Sequence, residues 1–259
     1  VHRERLLLLG WGRAILLQLA HPLVARAVAD HSGFRAERLG GWRRLHRTLG
    51  AMLRLTFGEP EEIASTARRI NAIHAGVRGG LARGEGGFAP GTAYSACDPA
   101  LLRWVHLTCV DSFLLTYEVY VRALTASERD AYCAETAESE SLFGMEPGSL
   151  PRDGRELDDA MRAMYGSGGL AITETARTLA RAVLFPRPAW LGWPFTAAVR
   201  LSTIGLLPSD VRAGYGFAWS PRDAHRFARV VRGVRALHRV LPSGLRYWAI
   251  ARRAMRRAV

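Results

Sequence analysis

Residues 67–80 read ARRINAIHAGVRGG, and the imidazole of His74 is the group in that stretch that can bind a metal or carry a proton. Ile63, Ala67, Ile70, His74 and Val77 recur at spacings of four and three, one stripe of a helix expected over 59–78, so the ring points toward the core. Across the tight turn FGEP, the preceding segment GWRRLHRTLGAMLRLTFG carries Arg44 and Thr48 four apart on one face, with Arg47 beside them. An inward histidine facing an arginine and a hydroxyl fits two roles. Periodicity alone favours a core residue satisfied by a polar neighbour. The other role is a ligand, because neutral imidazole binds iron through one nitrogen while donating its other N–H to a carbonyl or carboxylate. One histidine on an apolar helical wall suits a haem: porphyrin supplies four nitrogens and a large flat apolar surface, and arginines pair with its propionates.

Spacing sets aside several other centres. No HExxH occurs and no glutamate stands three residues before a histidine, so the zincin and di-iron carboxylate patterns lack their ligands. There is no GxSxG or Walker A sequence. GSGGLA at 166–171 resembles part of a dinucleotide fingerprint, but the DDAMRAMY before it reads as helix rather than strand, which makes it a helix break. Cys97, Cys109 and Cys133 form no CxxC pair and are odd in number, so neither a zinc site nor a disulfide scaffold is indicated, and a reducing, cytoplasmic compartment is expected.

The elements that must position these residues are helical throughout. Helices are expected over 4–20, 22–30, 41–57, 59–78, 98–124, 126–142, 155–165, 170–184, 189–204, 221–239 and 243–257, an all-α fold in one domain spanning 1–259. The segment 98–124, capped by Asp98 and Pro99, is apolar around nearly its whole circumference and should be the central helix. His106, Thr108, Asp111 and Ser112 are then polar groups in the core, each needing a partner; for Asp111 a nearby arginine or helix cap is favoured. The glycine-dense loop 81–98 reads equally as a lid and as an exposed connection, and PRPAWLGWP at 186–194 as a domain boundary or a packed crossing.

The chain has 259 residues, 49% of them hydrophobic, enough for a sizeable core. Its formal charge of +13 comes with 36 basic residues that are all arginine, a bias that points to GC-rich coding and weakens the case for a polyanion partner. With no helix-turn-helix or aromatic platform, nucleic acid is not an expected partner. LLLLGWGRAILLQLAHPLVARAVA is apolar, but Arg13, His21, Pro22 and Arg26 interrupt it too often for a membrane span, so it reads as two buried helical pieces meeting at Pro22. The closing RRAMRR reads as a solvated helix end, with peripheral contact to acidic lipid the minority reading.

Five ordered blocks, GRAILLQLAHPLVARAVADHSGFR, RRLHRTLGAMLRLTFG, INAIHAGVRG, YSACDPALLRWVHLTCVDSFLLTYE and LLPSDVRAGYGFAWSP, resemble the catalytic domain shared by latex clearing protein (rubber oxygenase) and the endoplasmic-reticulum-bound oxygenase of mycophenolic acid biosynthesis. The resemblance covers nearly the whole chain. It implies a globin-like helical fold with haem b and O2-dependent cleavage of carbon–carbon double bonds in isoprenoid substrates. The family's Arg-x-x-Lys-Thr motif falls on Arg44, Arg47 and Thr48, and its iron-binding histidine on His74. Arg44 and Thr48 would then line the oxygen or propionate region, with His106 the runner-up ligand. Arg47 replaces the family's lysine in a chain without lysine, so a closed state with lysine on iron is unavailable. Asp30 is the nearest match to the family's distal acidic residue, a possible base. His21 and His31 are expected to hydrogen-bond within the core rather than approach the other haem face, and His46 to sit on the surface. The implied activity is a haem-dependent oxygenase acting on a hydrophobic, isoprenoid or unsaturated lipid-like substrate; a non-catalytic haem- or lipid-binding protein is the alternative.

Overall fold

The computed structural model describes residues 1–31, 40–185 and 193–257, with backbone alone at 40–45 and 193–195. It is all-α apart from one small hairpin. A 3-10 turn at Arg5–Leu7 leads into α1 (Leu8–Leu19), which meets α2 (Pro22–His31) at a bend of 107°. Pro22 opens α2, where its missing N–H costs nothing, and the apolar stretch is two core helices as expected. No single helix among the described residues is long and apolar enough to cross a membrane.

The other helices are α3 (Gly40–Phe57), α4 (Pro60–Ala75), α5 (Pro99–Tyr120), α6 (Ala126–Ala137), α7 (Gly154–Gly166), α8 (Glu174–Leu184), α9 (Trp193–Leu206), α10 (Ser209–Gly214), α11 (Pro221–Val240), α12 (Ser243–Arg246) and α13 (Ala249–Arg257). Helix α5 is the buried centre that its composition demands, with Trp104, Leu107, Thr108, Leu114 and Tyr120 all but inaccessible. Its start is fixed by Asp98, whose carboxylate accepts from the amides of Ala100 at 2.8 Å and Leu101 at 3.2 Å.

Helix α1 lies against α5 and α9 because it carries glycine at the two contact points. A Cβ at Gly10 would fall 1.9 Å from Thr116 Oγ1, and one at Gly12 would fall 2.1 Å from Thr203 Oγ1. Beside them Arg13, nearly fully buried, donates to Asp111 at 2.5 Å, Ser112 Oγ at 2.8 Å and the Leu206 carbonyl at 2.8 Å. This is the arginine partner expected for Asp111. Thr108 and Thr116 turn their hydroxyls back onto the α5 carbonyls of Val105 and Ser112.

Several boundaries differ from those read in the sequence, each for a local reason. The helix expected to reach residue 78 stops at Ala75 with Gly76 as its cap. Arg78–Gly80 (β1) then pairs antiparallel with Ala93–Ser95 (β2), with Arg78 opposite Ser95, a strand pair too short to show alternation. The helix expected over 126–142 tightens into a 3-10 turn at Glu138–Phe143 and ends at Gly144, which has φ +66°. Helix α8 starts only at Glu174, where Thr173 caps it. The helix expected over 243–257 is split, because Tyr247 is extended and bridges Glu4. Helix α10 was not expected, and 186–192, most of the stretch read as boundary or crossing, lies outside the described residues.

Segments 3–5 and 246–248 are joined in that split. The Trp248 amide donates to the Arg3 carbonyl at 3.1 Å, and Arg5 Nε donates to the Tyr247 carbonyl at 3.2 Å. Glu4, fully buried, pairs with His238 Nε2 at 2.9 Å and Arg246 Nη2 at 3.1 Å.

Candidate functional site

Helix α4 begins with a capping box between Glu59 and Glu62, with Pro60 at its first position, and it ends one turn beyond Ile70. Its inward stripe is the expected one: Ala67 is buried, and Ile63, Ile70, His74 and Val77 are half-buried. His74 is in the last turn, and burial holds its imidazole below the ordinary value of 6.5, so it is neutral at pH 7 with one nitrogen free of a proton. Helices α3 and α4 form the expected hairpin through Gly58, whose amide donates to the Arg54 carbonyl at 2.9 Å. On α3, Arg47, Thr48 and His46 are exposed, while the Arg44 side chain lies outside the described residues. No hydrogen bond among the described residues joins His74 to this motif.

His106 has the most strongly desolvated candidate ring on the central helix. Burial pushes its pKa down to about 4, against a weaker opposing pull from Glu140, and its Nε2 is buried without a hydrogen-bond partner among the described residues. Near it lies a group that sequence reading missed. Burial, followed by the charge of the N-terminus and of His106, pushes His2 down to about 3. His2 shares a 2.8 Å hydrogen bond between Nε2 and Tyr132 Oη, and its Nδ1 is buried with no partner among the described residues. Periodicity could not have flagged His2, since it precedes the first helix. Gln18 on α1 reaches the same face of α5, donating to Cys109 Sγ at 3.3 Å, and the buried Cys109 thiol is pushed up to about 11.

The acidic candidate is elsewhere and already engaged. Asp30, at the end of α2, accepts a bidentate pair from Arg26 and the Tyr94 hydroxyl at 2.6 Å. The Arg26 hydrogen bond holds its carboxyl below the ordinary range, and burial with the Asp30 contact pushes Tyr94 up to about 12. His31 shares a 3.2 Å hydrogen bond with the Arg78 carbonyl, and its ring meets Tyr94 edge-on. His21 is buried just before α2 against the Phe88 ring, with centroids 5.6 Å apart, and its Nδ1 has no partner among the described residues.

The glycine-rich loop is pinned rather than free. Leu81 and Tyr94 are buried, the Gly91 amide donates to the Leu81 carbonyl at 2.8 Å, and Gly86 lies against Pro22 and Ala171. Between this loop and the start of α8 runs a cleft of about 640 Å3 lined by Arg26, Arg83, Glu85, Thr175, Thr178 and Leu179. It is a charged cleft with no histidine among the described residues of its lining. Among the described residues no three His, Cys, Asp or Glu side chains form a group that could hold a bare metal ion. A porphyrin needs no such group, since a single protein ligand suffices.

The family model for the ER-bound oxygenase mpaB/B'/rubber oxygenase catalytic domain matches residues 1–236. The chain belongs to this family of oxygenase catalytic domains. No curated protein matches it, and no solved structure does.

Proposed function

We propose that the chain is a haem b-dependent oxygenase that brings O2 to a hydrophobic, isoprenoid or unsaturated lipid-like substrate. The observation that carries this reading is the family match over residues 1–236. The residues present suit the cofactor: burial favours the neutral imidazole at His74 and His106, and His106 Nε2 is buried with no hydrogen-bond partner among the described residues. When bound, haem supplies the iron at which O2 is activated.

The roles of the chain's own residues follow. His74 would hold the iron from the end of α4, and Arg44 and Arg47 would pair with the propionates, where arginine serves as well as lysine or better. Thr48 offers a hydroxyl on the same face. Asp30 stays a carboxylate at neutral pH while Arg26 and Tyr94 hold it, so it takes up a proton at Oδ2 only if the Tyr94 hydroxyl and Arg26 Nε release that oxygen. The orphan Nε2 favours a second assignment, with His106 as the iron ligand.

The test is the visible spectrum after haem reconstitution, for wild type, His74→Ala and His106→Ala. A Soret band that weakens and shifts only in His74→Ala supports the first assignment. Loss only in His106→Ala moves the ligand to α5, and a wild type without a Soret band sinks the haem reading. Oxygen uptake with isoprenoid or unsaturated lipid separates an oxygenase from a carrier that binds haem without turnover.

A further inference from the structure

Past Asp223 the chain has no acidic residue, while it carries ten arginines between Arg226 and Arg257. Some of these are spent on the fold. Arg235 donates to the carbonyls of Val119 and Glu118, Arg246 to Glu4, and Arg257 to Glu59 and the Phe57 carbonyl. Arg229, Arg232 and Arg239 are exposed on α11 with no ion pair among the described residues. At the end of that helix the surface turns apolar: Leu237 is 56% exposed, Val240 78% and Leu245 58%. Three large exposed aliphatic side chains fall within nine residues, on a tip tied to Glu4 through His238 and Arg246, with a basic flank on α11.

We propose that the tip formed by the end of α11 and the turn into α12 is a peripheral membrane-docking surface for a bilayer containing anionic lipid. The chemistry discriminates between occupants. Aliphatic side chains gain by leaving water for the acyl boundary, while arginines stay at headgroup level with their stems along the apolar surface. Anionic lipid attracts each such arginine within a Debye length. A second copy of the chain would bring the same unpaired cations face to face. Nucleic acid would satisfy the arginines but gives Leu237, Val240 and Leu245 no apolar site, and the tip offers no exposed aromatic ring for stacking. The apolar residues lie beyond residue 236, where the family match ends, and the inference does not rest on the haem reading.

The experiment is vesicle co-sedimentation of the full chain at physiological salt. Phosphatidylcholine vesicles are compared with vesicles carrying 30 mol% phosphatidylserine, an experimental choice of about the anionic content of a cytoplasmic leaflet. Binding is expected to rise about tenfold or more with phosphatidylserine and to fall about as much in Val240→Glu/Leu245→Glu. Arg229→Gln/Arg232→Gln should weaken binding to the anionic vesicles and flatten its salt dependence. Thermal melts equal to wild type show that these exposed substitutions leave the fold intact. Absence of binding to the anionic vesicles overturns the proposal, as does equal binding by Val240→Glu/Leu245→Glu. So does a wild-type dimer that this variant dissolves, or tight duplex DNA binding that it leaves unchanged alongside weak vesicle binding.

Discussion

The guanidinium of Arg13 and the carboxylate of Asp111 meet at 2.5 Å between α1 and α5, with Arg13 6% and Asp111 21% exposed at the side chain. Removing one partner leaves a buried charge alone, which costs far more than the pair contributes net. Asp111→Ala should lose about 3 kcal/mol in urea unfolding. Arg13→Met/Asp111→Leu should recover most of that loss, since no orphan charge remains. A double variant as unstable as the single one would show that the pair itself supplies the stability.

Gly12→Ala should cost about 2 kcal/mol, because the new methyl would stand 2.1 Å from Thr203 Oγ1 and helix α9 would have to give way. Thr203→Ala removes the obstructing hydroxyl and methyl together, so Gly12→Ala/Thr203→Ala should melt close to the Thr203→Ala background. Rescue failing in that background would place the strain elsewhere along α1.

His21 gives a pH dependence of definite sign. Its folded pKa lies below the ordinary 6.5, burial being the main cause, so the unfolded chain binds the extra proton first. The stability that goes with a neutral ring is fully present above about pH 6.5 and is lost as pH falls through the folded value. His21→Gln should therefore shrink the fall in melting temperature between pH 7 and pH 5. A fall as large as that of wild type would assign the acid sensitivity to other groups.

Glu4 is fully buried and holds both His238 and Arg246. Glu4→Gln takes away the negative charge that both donors point at, and it should cost about 3 kcal/mol. It should also open 241–249 to limited proteolysis before the rest of the chain unfolds. Uniform resistance of that stretch in the variant would contradict the assignment.

Much of the architecture was legible because helical periodicity is a local signal. The stripe through His74, the Asp98 cap, the bend at Pro22 and the arginine on Asp111 all follow from spacing and from the cost of an unpaired buried charge. Features that depend on distant partners were not. Tyr247 breaks a helix only because Glu4 lies across from it, and β1 is a strand only because Ala93–Ser95 returns beside it. The site shows the same division. His74 and His106 stand out by their places on helices, whereas His2 becomes visible only once Tyr132 is brought to it. Asp30 is matched in sequence to a distal acidic residue, but Tyr94, which engages it, comes from a strand far along the chain.

The Glu4 cluster also separates two boundaries that are easily taken for one. The family match closes at residue 236, yet the side chains that contact a carboxylate near the start of that span, His238 and Arg246, come after it. A chain cut at the edge of the family match would keep every residue named at the candidate site and lose both side chains that hold Glu4. The segment that follows the family match is thus packed onto the residues with which that match begins.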